Sequence, residues 1–199
     1  MAKKILIALV VMVVILVTVI AMQPAAFTIE RRTTINAPVS LPYAQVNDFH
    51  KWASWSPWEK MESDLNKTYS GPESGVGAHY AWAGKETGEG NMTIVEAQPF
   101  ERIAIDLNFT KPVEASNKTT FTFKPSGPAT EVVWSMTGHK NFMSKAFGLV
   151  MDMDKMVGGD FEKGLAEMKT LAETEAAKVV VEPAVAVAPV VIEADAGTP

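Results

Sequence analysis

No cysteine occurs among the 199 residues. That excludes disulfides, a thiol nucleophile, a lipidated cysteine and thiolate metal sites, so an exported domain here has to stand on its packed core. Histidine is nearly as scarce. His50, His79 and His139 are the three, and no HxxxH or HxH spacing joins them, so no metal site is expected. Basic blocks are missing too. Residues 27–178 carry 16 Lys and Arg against 20 Asp and Glu, a net charge of −4. Nucleic-acid binding needs a positive face, and nucleic acid is set aside as a partner. Ser56, Ser135 and Ser144 sit in no nucleophile motif such as GxSxG. Gly75-Val-Gly77 and Gly88-Glu-Gly90 are too short for phosphate loops and read as strand turns. Asp152 and Asp154, two apart on a helix, point about 200° apart and make no carboxylate pair.

What the chain does have is a long apolar run. Residues 5–22, ILIALVVMVVILVTVIAM, contain one polar side chain, Thr18. A helix of that length rises about 27 Å, close to a hydrocarbon core of roughly 30 Å. Lys3 and Lys4 precede it and favour a cytoplasmic N-terminus, although Arg31 and Arg32 on the far side oppose that bias. Val19-Ile20-Ala21 also reads as a signal-peptidase site, but signal cores usually run about 7–15 residues. The run is therefore expected to stay on the mature protein as a single-pass contact with the lipid bilayer through residues 5–22, with the following domain on the exported side. The alternative is secretion after cleavage. The division that follows is an anchor and connector over 1–26, one domain over 27–178, and a Val/Ala/Pro-rich tail over 179–199. Pro183 and Pro189 break regular structure in the tail, which is expected to be disordered.

Residues 27–37 read as a strand ended by Pro38, and Ser40 as the cap of a short helix through Tyr43, Val46 and Phe49. From residue 67 the apolar period becomes two. Tyr80 and Trp82 share a face opposite His79. Ile103, Ile105, Leu107 and Phe109 alternate with Arg102, Ala104, Asp106 and Asn108. Phe121 and Phe123 continue the row from Thr119, and Val132, Trp134 and Met136 form another. Such alternation makes strands with one buried face, and the Gly- and Pro-rich breaks between them imply an antiparallel meander of six strands. After Gly138 apolar residues recur at three and four from Ala146 through Leu149, Val150, Met153, Met156, Phe161 and Leu165 to Leu171. That pattern predicts one long amphipathic helix with Ser144 as N-cap. Gly158-Gly159 inside it should mark a kink or a close approach to the sheet. The sum is an α+β fold: a helix-grip architecture in which a curved antiparallel sheet wraps the long C-terminal helix, preceded by a transmembrane helix.

Four stretches carry a resemblance. They are INAPVSLPYAQVNDFHKWASWSPWEK, GPESGVGAHYAWAGKETGEGNMTIVEAQPFERIAIDLNF, TEVVWSMTGHKNF and MDMDKMVGGDFEKGLAEMKTLAE. In order and local sequence they resemble the SRPBCC superfamily of START-like helix-grip domains, and within it the polyketide cyclase/dehydrase-like branch, over roughly residues 27–174. The resemblance implies an internal cavity for a hydrophobic small molecule such as a lipid, sterol or polyketide. It implies no cofactor and no particular reaction, because one fold hosts many functions.

The resemblance also sets the short helices across the open end of the grip. Trp52, Trp55 and Trp58 then become candidates to line the cavity, with indole N–H groups available to a polar ligand atom. The concave rows add Tyr80, Trp82, Ile94, Ile105, Leu107, Phe121, Trp134 and Met136, with Trp82 and Trp134 both expected to be largely buried. Met153 and Met156 complete the set, since methionine adapts to variable contents. For each of these, ordinary core packing is the alternative. Three functional readings remain open: a carrier of a hydrophobic or amphipathic small molecule, a cyclase- or hydrolase-type enzyme, and a scaffold with a filled interior. The enzyme would need polar groups in the cavity, for which Glu96, Tyr80 and Asp106 are the candidates. No catalytic residue is assigned, and the oligomeric state is open.

Overall fold

In a computed structural model the chain is described over residues 1–62 and 64–181, with side chains through Lys178. Helix α1 (Ala2–Met22) leads through a short connector into strand β1 (Ala26–Ile35). Helices α2 (Ser40–Asn47) and α3 (Trp52–Trp55) follow, with 3-10 turns at Phe49–Lys51 and Pro57–Lys60. Strands β2 (Asn66–Ser70), β3 (His79–Ala83), β4 (Glu89–Gln98), β5 (Arg102–Lys111), β6 (Ala115–Ser126) and β7 (Ala129–His139) form the meander. Helix α4 (Phe142–Phe147) and the long helix α5 (Met153–Val181) complete the chain.

The seven strands make one antiparallel sheet in the order β1-β7-β6-β5-β4-β3-β2. The expected meander of six strands is there, and β1 pairs with its last member. Register aligns the apolar rows across strands: Ile103 faces Phe121, which faces Trp134, while Ile105 faces Thr119, which faces Met136. These side chains are buried, and α5 lays Phe161, Leu165, Met168 and Ala172 against them. This is the α+β helix-grip arrangement.

Three local expectations are corrected. Ser40 is the first residue of α2 and makes no capping hydrogen bond, because the helix starts from Val39 in helical conformation. The predicted single helix after Gly138 is two. Asn141, not Ser144, caps α4, its side chain accepting from the Ser144 N–H at 2.8 Å. Helix α4 ends at Gly148, and a second helix begins where Asp152 accepts from the Lys155 N–H at 3.2 Å. Two capping side chains thus override an apolar period that runs through the break. As a result Leu149, Val150 and Met156 are exposed. Finally, α5 continues to Val181, three residues past the expected end of the domain. The tail expected to be disordered lies, from 182 on, outside the described residues.

Glycine decides how α5 meets the sheet. Gly158 is buried under the guanidinium of Arg31 on β1, where any Cβ would collide. Arg31 there bridges Asp154 at 2.9 Å and Glu162 at 2.7 Å, stitching α5 to the sheet edge. At Gly164 a Cβ would meet the Trp134 ring at 2.9 Å. Gly159, by contrast, has nothing within 4 Å, so the expected close approach belongs to Gly158 alone of that pair.

Candidate functional site

The aromatic segment 52–58 is organised by a proline. Ser56 precedes Pro57 and takes an extended conformation (φ −72°, ψ 127°), which ends α3 and turns Trp58 into the next 3-10 turn. All three tryptophans then converge on Trp134 of β7. Trp134 stacks on Phe161 with ring centroids 4.0 Å apart and 6° between planes. It also stacks on Phe121 at 4.8 Å, and meets Trp55 and Trp58 edge-on at 5.5 and 5.7 Å. Offset-stacked and edge-to-face pairs are the favoured aromatic geometries and add to the stabilisation from burial itself. The indole N–H groups of Trp52 and Trp55 do not face a ligand: they donate to the Val46 and Gln45 carbonyls of α2 at 3.1 Å each. Trp134 Nε1 is buried without a partner among the described residues.

A cavity of about 310 Å³ opens beside this cluster, between the sheet and α5. Of the residues singled out from sequence, Trp52, Trp58, Tyr80 and Trp82 line it, as do Leu107, Trp134, Met136 and Met153. Trp55, Ile94, Ile105 and Phe121 lie in the fully buried core instead, and Met156 is exposed on the far side of its helix turn. Trp82, expected to be largely buried, is half-buried at the cavity wall, and its N–H reaches the Thr87 carbonyl at 3.4 Å. The strand register explains where the space lies. Phe27, Asn117, Leu107 and Phe109 come from the end of the sheet at which β1 begins. The opposite end is filled by Ile35, Tyr43, Ile103 and Phe123. The cavity therefore sits at the end of the grip nearest α1, where Lys140, Ser144 and Met153 form part of its wall.

Of the three polar candidates, Tyr80 lines the cavity and Glu96 and Asp106 do not. A register shift between Ile94 and Glu96 bulges β4, so Glu96 leaves the inward parity and binds Arg102 at 2.5 Å. Asp106 stands on the outer face beside Lys118 at 3.5 Å. The carboxylate that does line the cavity is Glu59, which was not singled out; its side chain is only 5% exposed. Tyr80 donates its hydroxyl to Glu59 Oε1 at 2.5 Å, and Lys67 Nζ pairs with Glu59 Oε2. Burial, and then the hydrogen bond to Glu59, push the Tyr80 hydroxyl well above the usual phenol range, so it stays protonated. Glu59 looks like a surface residue in PWEK; only the packing of the 3-10 turn onto β2 and β3 buries it. Its spacing of one from Trp58 was the available sign. Among the described residues no group of three His, Asp or Glu side chains is gathered as a metal would need.

An antiparallel sheet gripping one long helix around a mainly apolar cavity defines a helix-grip ligand-binding domain. The chain belongs to the family described as polyketide cyclase/dehydrase and lipid transport, an SRPBCC-type family whose pattern matches residues 26–173. Solved structures agree on the fold. Protein CV1439 from Chromobacterium violaceum superposes with a TM-score of 0.54 at 17% identity, covering 73% of this chain and 96% of that one. Protein MLL2253 from Mesorhizobium loti gives 0.55 at 13%, covering 74% and 98%. The di-domain ARO/CYC StfQ from the steffimycin biosynthetic pathway gives 0.57 at 12%, covering 77% of this chain and 52% of that one. No curated protein matches the sequence. The family implies binding of a hydrophobic small molecule, and one helix, α1, is long and apolar enough to cross a membrane or to serve as a signal sequence.

Proposed function

We propose that this protein is a membrane-anchored START-like domain that takes a hydrophobic or amphipathic small molecule into its internal cavity. The observation that carries the reading is the position of the cavity, at the end of the grip where β1 leaves α1. Helix α1, 21 residues long, is exposed along nearly its whole length, and about 32 Å of helix suits a bilayer core. Its last turn rests on the domain: Ile20 is buried and Lys145 Nζ donates to the Ala21 carbonyl at 3.1 Å. Beside that contact Phe142, Met143, Phe147, Leu149, Val150 and Met151 expose apolar side chains. A contiguous apolar surface next to a membrane helix is one a bilayer interface covers. With the N-terminus cytoplasmic, the domain lies on the exported side.

Ligand binding would draw on burial of apolar surface, worth about 25 cal/mol per Å² before ordering costs. A volume of about 310 Å³ is at the small end for ligand pockets. It suits one compact ligand rather than a two-chain lipid. The unfilled space supports a ligand-handling role over a filled scaffold. The buried Glu59–Tyr80 contact favours one second reading, an enzyme acting on the same kind of ligand. Native mass spectrometry of the full chain extracted from its own membrane tests the proposal. A co-purified small apolar molecule is the expected result; a mature N-terminus near residue 22, or an unliganded protein that also binds no apolar probe, would overturn it.

A further inference from the structure

The cavity wall carries one carboxylate, Glu59, and that side chain is nineteen-twentieths buried. An ionised carboxylate in such surroundings costs several kcal/mol unless it is paired. Lys67, on β2 behind it, neutralises it through Oε2, and the Tyr80 hydroxyl satisfies Oε1. Among the described residues each oxygen is thereby engaged once, and a carboxylate oxygen has room for a second donor. What this cluster presents to the cavity is an acceptor-only group whose charge is already balanced.

We infer that the Glu59–Lys67–Tyr80 cluster is the polar recognition element of the cavity, and that it selects a neutral, hydroxyl-bearing ligand with a compact apolar body. This rests on the ligand-binding reading above and adds the ligand's chemical class. A hydroxyl donates to the free lone pair of Glu59 while its ring or chain lies against Trp52, Trp82, Met92 and Met136. An anionic ligand placed at Glu59, such as a fatty acid carboxylate, meets a carboxylate with no donor of its own to offer; Lys140, the cation that also lines the cavity, reaches toward Gly148 at the end of α4 and is not part of this cluster. A cation gains little, because Lys67 already supplies the counter-charge. The Tyr80 hydroxyl, held protonated, keeps donating to Glu59 and leaves the acceptor role to the carboxylate.

Four probes that share a naphthalene body and differ in one group test this on the full chain in detergent micelles, by calorimetry at neutral pH. They are naphthol, methoxynaphthalene, naphthoate and naphthylmethylammonium. A hydrogen bond to a buried charged group predicts naphthol binding roughly tenfold or more tighter than methoxynaphthalene. Naphthoate should bind weakest. Glu59→Gln should narrow the ratio of naphthol to methoxynaphthalene affinity to roughly threefold or less, since a neutral acceptor makes a weaker bond. Equal binding of naphthol and methoxynaphthalene by the wild type overturns the inference and leaves the ligand-binding reading standing. Tightest binding of naphthoate or of the ammonium probe does the same. Binding of none of the four removes that reading and the inference with it. The wild-type series decides even if Glu59→Gln fails to fold. Tyr80→Phe, which keeps the carboxylate, should then retain the naphthol preference, and its loss would overturn the assignment to Glu59.

Discussion

Trp134 is 2% exposed and touches aromatic rings from three directions, yet its N–H has no partner among the described residues. Two substitutions separate these facts. Trp134→Ala should cost roughly 3–5 kcal/mol in a denaturant titration. Trp134→Phe keeps a ring between Phe121 and Phe161 and removes an unsatisfied donor, so it should cost well under half as much. Trp82→Ala, at a half-buried site on the cavity wall, should cost less than Trp134→Ala while weakening apolar probe binding. Equal, core-sized losses at both sites with no effect on binding would contradict the placement of the cavity. A second residue acts through the backbone. Glu62 accepts from the Lys85 N–H at 2.7 Å and from Glu86 and Thr87 at longer range. These bonds, Lys85 first, hold its carboxyl below the usual carboxylate range. Its folded pKa is lowered, so its contribution is full above the ordinary value and is lost as pH falls through the lowered one. Protection of the amides in the 85–87 turn, taken relative to the intrinsic exchange rate at each pH, should hold at neutral pH and fall as the pH drops through that lowered value. Glu62→Gln should remove that step.

Among the elements, α5 offers a sharp contrast between neighbouring glycines. Gly159 is open, so Gly159→Ala should raise stability by about 1 kcal/mol through helix propensity alone. Gly164→Leu would drive a side chain into Trp134 and Pro57 and should destabilise strongly. Thermal melts of the two variants should move in opposite directions. If Gly159→Ala melted lower, the helix there would have a neighbour that the structure does not place. Helix and strand identities were legible from sequence because period two and period 3.6 are local properties. The break between α4 and α5 was not, because the apolar residues at 149, 150 and 156 continue the helical period on the surface.

At the scale of the whole molecule, helix α4 packs on the end of α1, where Lys145 donates to the Ala21 carbonyl, and the apolar side chains of α4 and the turn after it are exposed at the same end of the grip as the cavity. Phe147→Asp combined with Val150→Asp should leave the melting temperature of the domain within a few degrees, since both side chains are exposed. It should slow transfer of an apolar probe from vesicles into the protein severalfold. Unchanged transfer would detach the patch from any role at the bilayer.

The sequence by itself determined the helix-grip fold, the apolar N-terminal helix and the inward rows of the sheet, because alternation and apolar length are written residue by residue. It also brought out the tryptophan segment, although only packing shows that Trp52 and Trp58 reach the cavity while Trp55 fills the core. The tertiary structure alone decided which carboxylate lines the cavity. A bulge turned Glu96 outward, since one inserted residue reverses every side chain after it. A 3-10 turn folded over β2 and β3 buried Glu59 between Lys67 and Tyr80, residues 8 and 21 positions away. No periodicity encodes a contact of that kind. It exists only once the sheet has closed and charge is more cheaply paired than left alone in an apolar wall.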